Sequence, residues 1–288
     1  MLSILIPVYN YNITAFVWDL ASQCAAEKAL QYEILCYDDC STDKNLHQIN
    51  SAVNQLPYCT YQVLDKNIGR SKIRNLLADR AKGDMLLFLD CDGKPCSKDF
   101  IHTYINNKDG ADVICGGTKY QNKTAISSEY LLHWKNGKAR EEGKKHFTTN
   151  NFLIRKEIFA KLGFDETLTG YGHEDTVFGE QLKQNGYRII HIDNPVYHLG
   201  LKKTDKFIAD TQNAERNLKK LYGKEQYTSA VSDLTIVKAY KKLEKLHLAK
   251  MYSRIIEPLS PLILKNLHSA CPNLRLLDLY KLNLFIKG

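Results

Sequence analysis

Along the first 116 residues, short apolar runs alternate with stretches of helical periodicity. The runs are SILIPV at 3–8, YEILCY at 32–37, YQVL at 61–64, MLLFL at 85–89 and ADVICGG at 111–117. Between them lie segments expected to be helical, near 13–28, 43–55, 69–81 and 97–107. Runs that are mostly apolar throughout, rather than at every second position, suit strands covered on both faces, as in parallel βαβ units. In open sheets of that kind, ligand-binding groups gather at the carboxyl ends of the strands.

Carboxylates stand at those ends. Asp38 and Asp39 follow YEILCY, Asp65 and Asn67 follow YQVL, and Asp90 and Asp92 follow MLLFL. The text then turns polar from 117 to 150, which predicts a long excursion able to close over a ligand. Core character resumes with NNFLIRKEIFAKLGF at 150–164, followed by a helix near 174–185 and the strand RIIHI at 188–192, ahead of Pro195 and His198. Beyond 204 the pattern is helical and amphipathic, and PLSP is expected to break it at Pro258 and Pro261.

A length of 288 residues admits one large α/β domain, read as 1–203, with a smaller helical and basic extension over 204–288. With 44% apolar and 25% charged residues the chain has the composition of a globular protein. The start MLSILIPVYNYN lacks a basic lead, and no apolar run reaches the ~20 residues of a membrane-spanning helix, so a cytoplasmic protein is expected. Eight irregularly spaced cysteines without a CxxC pair read as reduced, mostly core thiols; a zinc site from Cys36, Cys40, Cys91 and Cys96 fits no usual spacing. Charge is uneven. Residues 1–200 carry 23 basic against 24 acidic side chains, whereas 201–288 carry 17 against 8. Such a tail, with its Leu/Ile-rich stretch 259–286, suits an interfacial contact with the inner face of a membrane. It equally suits a helical cap packed on the catalytic domain or on a second subunit.

Chemistry is concentrated in five places. In LLFLDCDGKP, Asp90 and Asp92 can both aim at a hard cation that bridges diphosphate oxygens, although an Asp-x-Asp also occurs in plain surface turns. In EILCYDDCSTD, Asp38 or Asp39 can accept from a base imide while Ser41 or Thr42 caps a helix. In NIGRSKIRN, Arg70 and Arg74 share one face at a helix start beyond Asn67 and Gly69, which suits phosphate or an ordinary surface helix. In GFDETLTGYGHED, Glu174 and Asp175 follow Gly170 and Gly172; one can take a proton from a hydroxyl, or both are simply favourable first-turn charges. His198 can complete a metal shell or serve structure.

In order and spacing, SILIPVYN, the DDCSTD of 38–43, NIGRSKIRN of 67–75, the LDCDG of 89–93 and the FDE and GYGHED of 164–175 resemble family 2 of the nucleotide-sugar glycosyltransferases. These enzymes have the GT-A fold, and the second half is similar to galactosyltransferase-type C-terminal segments. The likeness covers about 2–200. It implies an α/β, Rossmann-like, mostly parallel sheet flanked by helices, with a helical C-terminal extension. It also implies an inverting transfer from a nucleotide diphosphate sugar, a UDP-sugar for preference, to the hydroxyl of a glycan or lipid-linked glycan, with Mn2+ or Mg2+ and no nucleic acid. Surface polysaccharide synthesis is the family's usual setting. By the same resemblance Pro7 and Tyr9 line the base pocket, Asp38 or Asp39 reads uracil, and Arg74 lies near the diphosphate. Asp92 is the main metal ligand with His198, Asp90 stands beside the ribose or sugar, Asp175 is the general base, and Glu174 touches a sugar. Cys40, Ile73 and Cys91 depart from the commonest pattern. A catalytically silent nucleotide-sugar binder and a nucleotidyltransferase are the rival readings; PVYNYN is no triphosphate loop, and the intact carboxylates disfavour a silent fold.

Overall fold

The computed structural model describes residues 1–168 and 172–288. The first half alternates strand and helix: β1 (Leu2–Val8), α1 (Thr14–Ala26), β2 (Tyr32–Asp38), α2 (Lys44–Asn50), β3 (Cys59–Val63), α3 (Arg70–Arg80), β4 (Met85–Leu89), β5 (Gly93–Pro95) and α4 (Phe100–Asn107). Next come β6 (Val113–Cys115), β7 (Thr118–Lys119), α5 (Leu131–Arg140), β8 (Asn151–Arg155), α6 (Lys156–Leu162), α7 (Glu174–Gln184), β9 (Ile189–His191) and β10 (Val196–His198). The remainder is helical: α8 (Thr204–Tyr222), α9 (Thr228–Ser232), α10 (Thr235–Lys245), α11 (Ala249–Leu267) and α12 (Leu274–Lys287).

Seven strands form one sheet in the order β3-β2-β1-β4-β8-β6-β9. β3, β2, β1 and β4 run parallel, with Leu5 opposite both Leu35 and Phe88. β8 is antiparallel to β4 and β6, and β9 is parallel to β6. All of β2 and all but one residue of β1 are buried, as strands covered on both faces must be. α1 covers one face with Phe16, Val17, Leu20, Ala21 and Cys24, the i, i+4 stripe of an amphipathic helix. On β4, Phe88 stacks on Phe152 at 4.8 Å and meets Phe159 at 4.9 Å. Order reverses between β1 and β4, since β2 and β3 lie on one side of β1 and β4 on the other, so the crevice at their carboxyl ends is the expected ligand position. A second sheet, β5-β10-β7, stands beyond it and pairs His198 with Gly93.

The chain clusters into two compact units. One comprises Met1–Lys119, Gly143–Thr169 and Gln181–Gly200; the other comprises Tyr120–Glu142, Gly170–Glu180 and Leu201–Gly288. The helical unit therefore takes in 120–142 as well as the C-terminal helices, and its core gathers Leu132, Ile208, Ile256, Ile263, Leu267, Leu277 and Tyr280. Three expectations change. The helix near 43–55 stops at Asn50 and tightens into a 3-10 turn over Ser51–Gln55. The excursion 117–150 contains the helix α5. α11 runs through Pro258 and Pro261 without a break. A proline removes one N–H bond and costs about 3 kcal/mol, but burial of Ile256, Ile263 and Leu267 on the opposite stripe holds the helix on both sides of the pair. Cys24, Cys36, Cys59 and Cys115 are buried, in keeping with core thiols.

Candidate active site

The loops after β1 and β2 are tied together before any ligand is considered. Asn10, at φ 49°, accepts from the Thr42 amide at 2.9 Å and donates to Thr42 Oγ1 at 3.0 Å, and its own amide donates to Ser41 Oγ at 2.7 Å. Asp38 is wholly buried. Its Oδ1 accepts from the Ser41 amide at 2.6 Å, while Oδ2 accepts from Ser41 Oγ at 2.9 Å and Tyr61 Oη at 2.7 Å. Asp39 is buried too, and accepts from the Ile68 amide at 2.6 Å and the Gly69 amide at 2.9 Å. Asn67 completes the clasp by donating to the Asp39 carbonyl at 2.9 Å. Gly69 sits at φ 86°, a conformation that glycine adopts without strain and that turns the chain into α3. Both carboxylates expected to face the base are therefore engaged inside the chain, holding the loop that leads to α3.

The turn after β4 is built differently. The Asp90 amide donates to the Asn150 carbonyl at 3.1 Å, and the Gly93 amide donates to the Asp90 carbonyl at 3.0 Å, which closes Asp90-Cys91-Asp92-Gly93 as a turn. Arg74, buried to 2% exposure, donates from Nη2 to Asp90 Oδ1 at 2.5 Å. Its guanidinium also lies 5.8 Å from the centre of the Phe164 ring. Arg74 is thus held against Asp90 at the end of β4. Arg70, one turn earlier, is exposed and bears electrostatically on Asp92 and Cys91.

Asp92 is the focus. Burial pushes its carboxyl up and Asp90 adds to the shift, while His198 and Arg70 pull it back. His198 Nδ1 stands 3.7 Å from Asp92 Oδ2, too far for a hydrogen bond and near enough for both to reach one ion. The Leu199 amide donates to the Asp92 carbonyl at 2.9 Å, so β10 delivers His198 and Gly200 to the turn. Any Cβ on Gly200 would overlap the Asp92 carboxylate. Gly200 was not singled out in the sequence, and neither was Tyr11. Burial, then the charges of Asp92 and Cys91, raise the Tyr11 hydroxyl pKa, which places that ring against the same turn. Tyr9 is half exposed and Pro7 lies in β1. Tyr11 is visible in the sequence as the second tyrosine of PVYNYN, whereas Gly200 has no chemical signal there.

Among the described residues no group of three or more His, Cys, Asp or Glu side chains is arranged to hold a metal ion. A smaller set does fit a divalent cation. Asp92 is a carboxylate whose charge burial disfavours, His198 offers a ring nitrogen beside it, and Gly200 keeps the space against Oδ2 clear. Such a pair supplies two donors and leaves the other positions to ligand oxygens. Asp90, also named as a ligand, has Oδ1 committed to Arg74.

Glu174 and Asp175 open α7 in the helical unit. Glu174 is buried, and Asp175 Oδ1 accepts from the Thr176 amide at 2.7 Å. His173 precedes them at φ 74°; burial foremost, then Lys281, pushes its pKa down to about 4, so the ring is neutral near pH 7. Gly170 of the same motif lies outside the described residues.

This sheet, with its acidic turn at the switch point, is the α/β arrangement of the GT-A fold. The glycosyl transferase family 2 model matches residues 3–163, more than half of the chain, and the protein belongs to that family. Among curated relatives, the poly(ribitol-phosphate) beta-N-acetylglucosaminyltransferase TarS of Staphylococcus aureus is 33% identical over 92 residues, a match taking in 31% of this chain and 16% of TarS. The matched stretch thus takes in less than a fifth of that relative's length. Among solved structures, the S. aureus TarS 1-349 complex with UDP superposes with a TM-score of 0.54 at 18% identity, covering 98% of this chain and 89% of that one. A mannosyltransferase from Pyrobaculum calidifontis, in complex with GDP-Man and Mn2+, gives 0.57 at 16% identity, covering 80% and 69%. At such identities the likeness is one of fold.

Proposed function

We propose that this glycosyltransferase moves a sugar from a UDP-sugar to a hydroxyl of a cell-surface polysaccharide or its lipid-linked precursor, with inversion at the anomeric carbon. The observation that carries the reading is the gathering of Tyr11, Arg70 and His198 around Asp92 at the switch point. Support for a uridine donor comes from TarS, whose structure holds UDP, and support for a polymer acceptor comes from the poly(ribitol-phosphate) in its name. The Mn2+ in the mannosyltransferase complex supports a metal-assisted reaction.

Asp92 and His198 are the residues that would hold a Mn2+ or Mg2+ ion; when bound, that ion neutralises charge on the departing diphosphate. Arg70 lies at the N-terminus of α3, where the helix dipole and a guanidinium both favour the same phosphate oxygens. Arg74 keeps Asp90 oriented toward the ribose or sugar. Tyr9 and Pro7 flank the base, and Asp38 and Asp39 act on it through the loop they hold. Asp175 takes the proton of the acceptor hydroxyl, whose oxygen attacks the anomeric carbon. The bond to the leaving phosphate oxygen then breaks on the opposite face. Glu174 contacts a sugar hydroxyl. The experiment is release of nucleoside diphosphate from a panel of nucleotide sugars with Mn2+, with and without polysaccharide acceptors. Turnover by the parent and none by Asp175→Asn, with donor binding intact, supports the reading. Equal turnover by that variant removes Asp175 as the base, and no turnover with any donor leaves the silent binder.

A further inference from the structure

Helix α11 has two apolar stripes, and the fold uses one of them. Ile256, Ile263 and Leu267 are buried in the core of the helical unit. Met251, Ile255, Leu259 and Leu262 are 51%, 53%, 42% and 66% exposed. Their spacing of four, four and three residues lines them up along a second stripe on the order of 16 Å long. Leu279 of α12, 38% exposed, widens it, because the Tyr252 hydroxyl donates to the Leu279 carbonyl at 3.0 Å. A contiguous open apolar band of this kind marks an interaction surface.

The charges beside the band say what it fits. Arg254 and Lys265 project along one edge about a quarter-turn away, with Lys250 behind them, and all three are exposed. α10 adds the exposed Lys242 and Lys245 just upstream. The one carboxylate of α11, Glu257, lies beside Lys250, away from the apolar stripe, and is paired with Lys287 at 2.6 Å. Residues 201–288 as a whole carry 17 basic side chains against 8 acidic. A second copy docking through the same stripe in a two-fold arrangement would set this basic edge against its own twin, which is unfavourable. An anionic lipid surface meets both features at once. No described helix is long and apolar enough to cross a bilayer, so the contact would lie in the plane of the interface.

We propose that α11 is a membrane-surface helix. Met251, Ile255, Leu259 and Leu262 insert at the boundary of the acyl chains of an anionic bilayer while Arg254 and Lys265 meet lipid phosphates. The inference does not depend on the donor or acceptor assigned above. The test is flotation of the full chain with vesicles of phosphatidylcholine alone and of phosphatidylcholine with phosphatidylglycerol. The parent is expected to float with the mixed vesicles and to remain behind with the neutral ones. Ile255→Ser combined with Leu262→Gln, and separately Arg254→Glu combined with Lys265→Glu, should each cut the bound fraction about tenfold or more. Because these side chains are exposed, the thermal melt of each pair should match the parent. The proposal is overturned by equal recovery on both vesicle types or by apolar variants that float as well as the parent. It is also overturned by a parent that fails to float but sediments as a dimer and becomes monomeric in the Ile255→Ser, Leu262→Gln variant.

Discussion

The two acidic turns at the carboxyl ends of β2 and β4 look alike in the sequence and are put to opposite uses. Asp38 and Asp39 are buried and spend their oxygens on Ser41, Tyr61, Ile68 and Gly69. Asp90 and Asp92 keep side-chain exposures of 24% and 22%; Asp90 is steadied by Arg74, and Asp92 faces His198 without a hydrogen bond between them. A strand end followed by two carboxylates can thus be bound wholly into the neighbouring loop or left partly open at the switch point. The number of backbone amides aimed at the oxygens decides which. A carboxylate saturated by amides and hydroxyls is held in one rotamer. One left half-open in a buried turn, with His198 and Arg70 offsetting only part of the cost of burial, keeps room for a cation or a ligand donor.

The comparison breaks first at Asp92. Replacing it by Asn keeps the shape and removes the charge, so kcat should fall about a thousandfold, while the thermal midpoint should stay within a few degrees of the parent. A variant with parental turnover would make the two turns equivalent. The opposite signature is expected for Asp38→Ala, which strands the Ser41 amide and hydroxyl and the Tyr61 hydroxyl in a dry interior. Denaturant titration should show a loss of about 3 kcal/mol, with the surviving folded fraction still turning over. Smaller again is Arg70→Ala. It should lower kcat/KM by about thirtyfold without moving the unfolding midpoint, since the side chain is exposed. A fall in stability with unchanged kcat/KM would return the diphosphate to Arg74.

Alternating apolar runs made the sheet legible, because a strand buried on both faces has no other pattern available, and the positions of β1, β2 and β4 follow from it. β8 was legible as core but not in direction. Its antiparallel pairing, with Asn151 opposite Leu89, depends on how 117–150 returns, and local residues do not encode that. The uninterrupted α11 was illegible for a related reason, since the penalty of Pro258 and Pro261 is local and the burial that outweighs it is tertiary. In the site, motif residues could be named but not ranked. Arg74 is buried against Asp90 and Phe164, which are distant in sequence, so its burial and the exposure of Arg70 had no local signal. Gly200 was hidden because its importance is a matter of space beside Asp92 rather than of chemistry.

The smallest expected effect lies inside the β2 turn and tests whether its frame is under strain. Cys40 has φ 58°, in the left-handed region where a side chain costs roughly 1 kcal/mol and glycine does not. Its compensation is slight, an Sγ contact with the Asp65 carbonyl at 3.7 Å. Cys40→Gly relieves the backbone but frees the unfolded chain, so the net gain should be only about 0.5 kcal/mol, with kcat unchanged. Cys40→Val puts a β-branched side chain in the same conformation and should lose about 1.5 kcal/mol. Opposite signs in paired denaturant titrations would identify backbone strain as the cause. A loss in both variants would mean that the thiol contact with Asp65 matters more to the turn than the angle does, and that this acidic turn is held by its side chains alone.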